Sequence, residues 1–94
     1  MQYNGYMKYT YSAHSIERME ERNISKIEVE ALLDNLVDRL VSKSKSDDQA
    51  ILYMGFVEQK GIVVVLNPKT NNVITVRRIR KNEEKYFYNK KKGV

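Results

Sequence analysis

Cysteine is absent from this sequence and histidine occurs once. Without thiols there is no disulfide framework and no thiolate metal site. One histidine among scattered carboxylates argues against a transition-metal centre, so neither a metal nor another cofactor is expected. No apolar run approaches the roughly 18 residues that a membrane span needs. The opening MQYNGYMKYTY carries no hydrophobic signal-peptide core. The expected location is therefore cytoplasmic, with no membrane partner. Proline and glycine are also few, one and four, while 41% of residues are hydrophobic and 31% charged, as in a folded globular chain. Ninety-four residues supply one small core. Residues 1–94 are thus read as a single domain, with 11–80 as its core and 81–94 as a basic C-terminal segment.

Acidic charge is scarce at one end only. The net charge is +5, yet residues 77–94 hold eight Lys or Arg against two Glu, and the remainder is close to neutral. Concentrated positive charge points to a polyanion such as RNA, or to a solubilising tail.

Local signals then order the chain. Ser12 is a good N-cap, Ala13, Ile16 and Met19 recur at helical spacing, and Asn23 suits the left-handed position after a helix. NISKIEVE carries a stronger start: Ser25 as N-cap, Glu28 closing a capping box, and Ile24 and Val29 spaced as a hydrophobic staple. Val29, Leu32, Leu33, Leu36 and Leu40 share a stripe of roughly 100°, which predicts a second helix from Lys26 to about Leu40. SKSKSDD, residues 42–48, reads as a loop. QAILYMGF and GIVVVLN read as strands, the latter β-branched and continuous enough to be buried on both faces, as befits the centre of a sheet. PKTNN forms a hairpin connection to VITVRRIR, whose alternation sets Val73, Thr75, Arg77 and Ile79 on one face and Ile74, Val76, Arg78 and Arg80 on the other. MKYTY and the stretch Tyr86 to Tyr88 are candidate short strands, the latter followed by a frayed end. The expected class is α+β, two N-terminal helices on one face of a three- to four-stranded antiparallel sheet.

His14, Arg18 and Arg22 are spaced i, i+4, i+8 and form one ridge spanning about 80° of the first helix. Helix building does not explain that ridge. Arg22 has no carboxylate three or four residues away and follows a like charge, while Arg18 has only Glu21 in the less favourable order. Two anions would satisfy these guanidiniums: a carboxylate from the second helix or the 42–48 loop, or a phosphate bound through planar bidentate hydrogen bonds. His14 is also the side chain best able to exchange a proton near neutral pH.

YSAHSIERMEERNISKIEVEALL, followed by VITV in a late strand, resembles a bacterial and phage domain family of unknown function. That family has a Ser-x-His-x-x-x-Arg-Met-x-x-Arg start and a final strand reading Ile-Thr-Val. The resemblance covers the chain from Tyr11 to about Arg77, with Asn23 in place of the family's usual glycine. It is similar in turn to the barnase, EndoU, colicin and RelE-like ribonuclease fold, whose small toxins cut RNA without metal, in some cases on the ribosome, and are restrained by antitoxins. The resemblance implies that His14 and Arg18 are a helix-borne active-site pair and that Thr75 faces them from the sheet. Metal-free cleavage needs a base for the 2′-hydroxyl, an acid for the leaving 5′-oxygen, and cations for the phosphorane charge. His14 fills one proton-transfer role and Arg18, with Arg22 or Arg77, a phosphate clamp. For the second proton, Tyr11, Tyr53 and Tyr86 are poor bases, and Glu17 is the nearest carboxylate. Arg78, Arg80, Lys81, Lys90 and Lys91 extend the phosphate-binding set, and Tyr86 and Tyr88 are candidates to stack on unpaired bases.

The expected activity is therefore a metal-independent ribonuclease of toxin type acting on RNA. The alternative is a non-catalytic module that binds nucleic acid or a protein partner, such as a phage- or plasmid-borne inhibitor or regulator. A third reading is a structural subunit that forms a homodimer through an exposed sheet edge.

Overall fold

The computed structural model describes residues 7–92. Among them the elements follow in the order β1 (Thr10–Tyr11), α1 (Ala13–Glu21), α2 (Lys26–Leu33), β2 (Arg39–Lys43), β3 (Ile51–Val57), β4 (Lys60–Asn67), β5 (Asn72–Arg78) and α3 (Lys81–Lys92). The strands form one five-stranded sheet ordered β1, β5, β4, β3, β2. The class is α+β, as expected. The sheet is mixed rather than antiparallel, because the short β1 pairs parallel with β5. No helix among the described residues is long and apolar enough to cross a membrane.

The helix starts follow the sequence signals. Ser12 Oγ accepts the Ser15 amide at 3.0 Å and donates to the Ile74 carbonyl at 2.9 Å, so one hydroxyl caps α1 and ties it to β5. Ser25 and Glu28 form the reciprocal capping box, each accepting the other's amide at 3.1 and 2.9 Å. Asn23 has φ 56°, the left-handed cap between the two helices. The end of α2 departs from the expected Leu40. Asn35 turns left-handed with φ 62°. The Arg39 guanidinium then donates to the carbonyls of Leu32 and Leu33 at 3.0 and 2.6 Å. Leu36 is left exposed, and Leu40 sits on β2 instead of extending the α2 stripe. Ser42 and Lys43 likewise belong to β2, so the loop begins at Ser44.

β4 is the centre of the sheet, with Ile62, Val63 and Val64 fully buried. Its side chains divide two cores. Ile62, Val64 and Leu66 pack with Met19, Val29, Leu32 and Leu33 of α1 and α2. Val63 packs on the other face with Met54 and Phe87. The expected alternation along β5 fails at one point. Val65 pairs with Thr75 but Leu66 pairs with Val73, so Ile74 is an extra residue, a β-bulge. Val73 and Val76 consequently both enter the α1/α2 core. Thr75 and Arg77, paired with Val65 and Val63, project on the opposite face, and Arg78, paired with Ile62, on the α1 side.

α1 runs beside the part of β5 that β1 leaves unpaired. It starts at the Ser12–Ile74 contact and ends where Arg78 reaches the Arg22 carbonyl at 3.3 Å. Its nine residues rise about 13 Å, the span of β5 from Ile74 to Arg78 at about 3.4 Å per residue. The helix therefore runs along that stretch of β5.

The expected final strand and frayed end are instead a helix, α3, through Lys92. Gly93 and Val94 lie outside the described residues. Acidic residues occupy the first turn of α3, where the helix dipole favours them. Glu83 Oε1 accepts the Arg80 amide at 2.9 Å, and Phe87, only 6% exposed, seats the helix on Leu40, Leu52, Phe56 and Ile79. Helices thus cover both faces of the sheet, not one. β3 and α2 also approach closely: a methyl group at Gly55 would stand 2.5 Å from the Asp38 carbonyl oxygen and 2.7 Å from Leu32 Cδ1.

Phe87→Ala is expected to lower unfolding free energy by about 3 kcal/mol, read by urea denaturation, because α3 loses its one deeply seated side chain. An undiminished midpoint would show that α3 does not pack as described. Gly55→Ala is expected to cost about 2 kcal/mol, since a carbonyl oxygen cannot move aside as a side-chain tip does.

Candidate nucleic-acid interface

The α1 ridge borders the core without entering it. Ser15 and Met19 are buried, whereas His14 is exposed, and Arg18 and Arg22 keep 37% and 39% of their side chains exposed. Among the described residues, no carboxylate of α2 or the 42–48 segment pairs with either arginine. Their shared partner is Glu21, whose Oε1 accepts from Arg18 Nη1 at 2.7 Å and from Arg22 Nη1 at 3.4 Å. One carboxylate is divided between two guanidiniums at the surface, where such pairs contribute about 1 kcal/mol or less.

The C-terminus of α1 then meets the end of β5. Arg78 Nη1 donates to the Arg22 carbonyl, placing a cation at the negative end of the helix dipole. Arg77, next along the strand and on its other face, donates to the Arg78 carbonyl at 3.2 Å and grips Glu83 of α3 with both Nη atoms, at 2.8 and 2.7 Å. Glu83 closes the sequence of contacts by accepting the Arg80 amide. Arg18, Arg22, Arg78, Arg77 and Arg80 are therefore strung around one corner by two carboxylates and two backbone carbonyls. Among the described residues Arg78 and Arg80 have no carboxylate partner, so the corner carries three positive charges in excess.

Guanidiniums match phosphate oxygens in geometry, and among the described residues the excess charge of these arginines has no carboxylate partner. The arginines do not contribute equally. Arg77 is largely engaged, and its bidentate hydrogen bonds, more than any other influence, hold the Glu83 carboxyl below its ordinary value of 4.5. Arg78 and Arg80 are exposed and unpaired with any carboxylate among the described residues, Arg78 donating only to a carbonyl, so these two are freer to turn toward a ligand than Arg77.

The remaining sequence candidates lie around this corner. His14, two helical turns from Arg22, lines a shallow hollow with Ile16, Glu17 and Glu20. Thr75 lies on the α3 face of β5, and no hydrogen bond joins it to His14 or Arg18 among the described residues. The expectation that Thr75 faces α1 directly is therefore corrected: the Ile74 bulge turns it to the other side of the strand from the α1/α2 core. Lys81 opens α3 beside the corner, and Tyr86, Tyr88, Lys90 and Lys91 are exposed further along that helix. Tyr11 drops out as a base, because burial and the Glu30 carboxylate at 2.5 Å push its phenol far above its ordinary value.

A family model matches residues 11–78, described as Domain of unknown function (DUF4258). The chain belongs to the DUF4258 family. No significant match exists among curated proteins or among solved structures. The DUF4258 segment holds α1, α2 and β2 to β5, with Arg18, Arg22, Arg77 and Arg78. It stops before α3, which adds Arg80, Lys81 and the Glu83 carboxylate to the corner. Sequence reasoning named Glu21 as a partner of Arg18 but missed that Arg22 shares it, and missed Glu83 as the carboxylate that orders Arg77. The Glu83 signal was present in the spacing Arg80-x-x-Glu83, in which the third helical residue reaches back to the capping amide.

Glu83→Gln in this DUF4258 protein is expected to lower stability at pH 7 by about 2 kcal/mol, since two charge-assisted hydrogen bonds are weakened in a half-buried site. Because the carboxyl sits below its ordinary value when folded, its stabilisation is full above pH 4.5 and disappears as the pH falls through the folded value. The stability gap between the Glu83→Gln variant and wild type should narrow below pH 4.5, and a gap constant with pH would exclude the charged pair as its source.

Proposed function

We propose that this DUF4258 protein binds RNA through the arginine corner and cleaves it without metal, in the manner of RelE-like ribonucleases. The observation that carries the reading is the convergence of Arg18, Arg22, Arg77, Arg78 and Arg80 at the end of the α1 ridge that also bears His14. A corner with three uncompensated charges attracts the phosphate backbone, and bound counterions leave as it docks. Cleavage then removes the proton of a ribose 2′-hydroxyl, forms the bond from that oxygen to phosphorus, and expels the 5′-oxygen, which takes a proton. The products are a 2′,3′-cyclic phosphate and a 5′-hydroxyl. His14 moves one of the two protons, and Glu17, in the same hollow, is the nearest group able to move the other. Arg18, one turn from His14, meets the charge that grows on the phosphorane.

A second reading keeps the binding and drops the chemistry: an RNA-binding inhibitor or regulator. It is favoured by Thr75, which projects from the α3 face of β5 and so leaves the helix-borne pair without the sheet-borne partner that the resemblance implies.

Purified protein incubated with end-labelled RNA in EDTA is expected to yield cyclic-phosphate ends, with His14→Ala lowering the rate about a hundredfold or more. Arg78→Ala should weaken RNA binding for all sequences alike and reduce the slope of log affinity against log salt by about one. Intact RNA that nevertheless shifts in a gel would select the binding reading. RNA that neither shifts nor breaks would end both.

A further inference from the structure

The corner does not end at Arg80. Lys81, Lys85 and Tyr88 fall within about 60° of one another around α3, and together with Asn82 and Glu84 they line one hollow. This line begins where the arginine string stops and runs about 10 Å along the helix. Lys85 was not among the residues singled out in the sequence. Its place becomes evident only once residues 81–92 are a helix.

Tyr88 is held as a platform. Its ring stacks on Phe56, with centroids 5.5 Å apart and planes 19° from parallel, and Phe87 meets Tyr88 edge-on at 5.7 Å. Half of Tyr88 remains exposed at 51%. One ring face is thus fixed against the protein and the opposite face is open. Tyr86 differs although it is equally exposed. It lies on the far flank of Phe87, about 200° around the helix from Tyr88, and the Lys90 ammonium stands 5.6 Å from its ring centroid. Only Tyr88 shares the side of α3 that carries Lys81 and Lys85.

Resting on the RNA-binding reading above, we infer that the ligand is single-stranded RNA that continues from the arginine corner along α3, with phosphates at Lys81 and Lys85 and one unpaired base stacked on the open face of Tyr88. A base paired within a duplex cannot present its face to a tyrosine. Charge alone would favour the duplex, whose phosphates are denser along the axis. A preference for single strands therefore reports the stacking and not the charge.

The test uses full-length protein carrying His14→Ala, so that bound RNA stays intact, and a fluorescent RNA oligonucleotide read by anisotropy, alone or annealed to its complement. The single strand is expected to bind several-fold tighter than the duplex. Tyr88→Ala should weaken single-strand binding about tenfold and leave duplex binding unchanged. Tyr88→Phe and Tyr86→Ala should bind as the parent does. Since Tyr88→Ala removes a contact with Phe56, an independent readout needs no change at that position: an oligonucleotide carrying 5-iodouridine should photocrosslink to Tyr88. Equal affinity for both forms, or crosslinks confined to other residues, overturns the inference while leaving the arginine corner intact. If Arg78→Ala has no effect and neither form binds the parent, the RNA-binding reading falls with it.

Discussion

The extra residue at Ile74 governs which way β5 presents its side chains. Before it, Val73 points into the core beneath α1 and α2, and two positions later strict alternation would send Thr75 there as well. The bulge inverts that parity. Val76 becomes the next core residue, Arg77 goes to the α3 face, and Arg78 goes to the α1 face. The consequences run in both directions. Arg78 can reach the end of α1 only from its side of the strand, and Arg77 can grip Glu83 of α3 only from the other. Two consecutive arginines thus fasten helices that lie on opposite faces of the sheet.

That fastening links five arginines in one series of contacts, Arg80 through its backbone amide. Like charges at this density repel, and surface ion pairs return little. The arginines are spaced by acceptors: Glu21 between Arg18 and Arg22, the Arg22 carbonyl before Arg78, the Arg78 carbonyl before Arg77, and Glu83 between Arg77 and the Arg80 amide. Each acceptor belongs to the backbone end of an element or to the turn beside it. The hydrogen bonds therefore serve folding, while the charges they gather stay in excess.

α3 has a comparable double character. Phe87 closes the second core, without which Leu40, Leu52, Phe56 and Ile79 would form an apolar sheet face open to water. For a chain of this size that burial is a considerable share of its stability. The flanks of the same helix carry lysines and half-exposed tyrosines, and the aromatic packing that seats Phe87 also fixes Tyr88 against Phe56. A helix read from the sequence as a strand and a tail is structural on one side and a charged, aromatic surface on the other.

Local chemistry made much of the fold legible in advance. Ser12, Asn23, Ser25 and Glu28 set the helix boundaries around the first turn because caps act within three or four residues. GIVVVLN declared itself the central strand because its continuous apolar run, Ile62 to Leu66, is rich in β-branched residues and suits burial on both faces. The basic ridge His14, Arg18 and Arg22 was visible for the same reason, as a spacing on one helix. What remained hidden depends on partners far along the chain. α2 stops short at the left-handed Asn35 turn, and Arg39, after the turn, donates to its last carbonyls. The β5 parity changes because Leu66 chooses Val73. YFY becomes helical because Phe87 finds a pocket made by β2, β3, Val63 of β4 and Ile79. Arg22 and Arg78, 56 residues apart, meet only because α1 lies along the edge of β5. Sequence by itself determined where α1 and α2 begin and which charges are available. Tertiary structure alone decided which of those charges share a surface, since register, bulge and helix docking are settled by contacts that no local pattern contains.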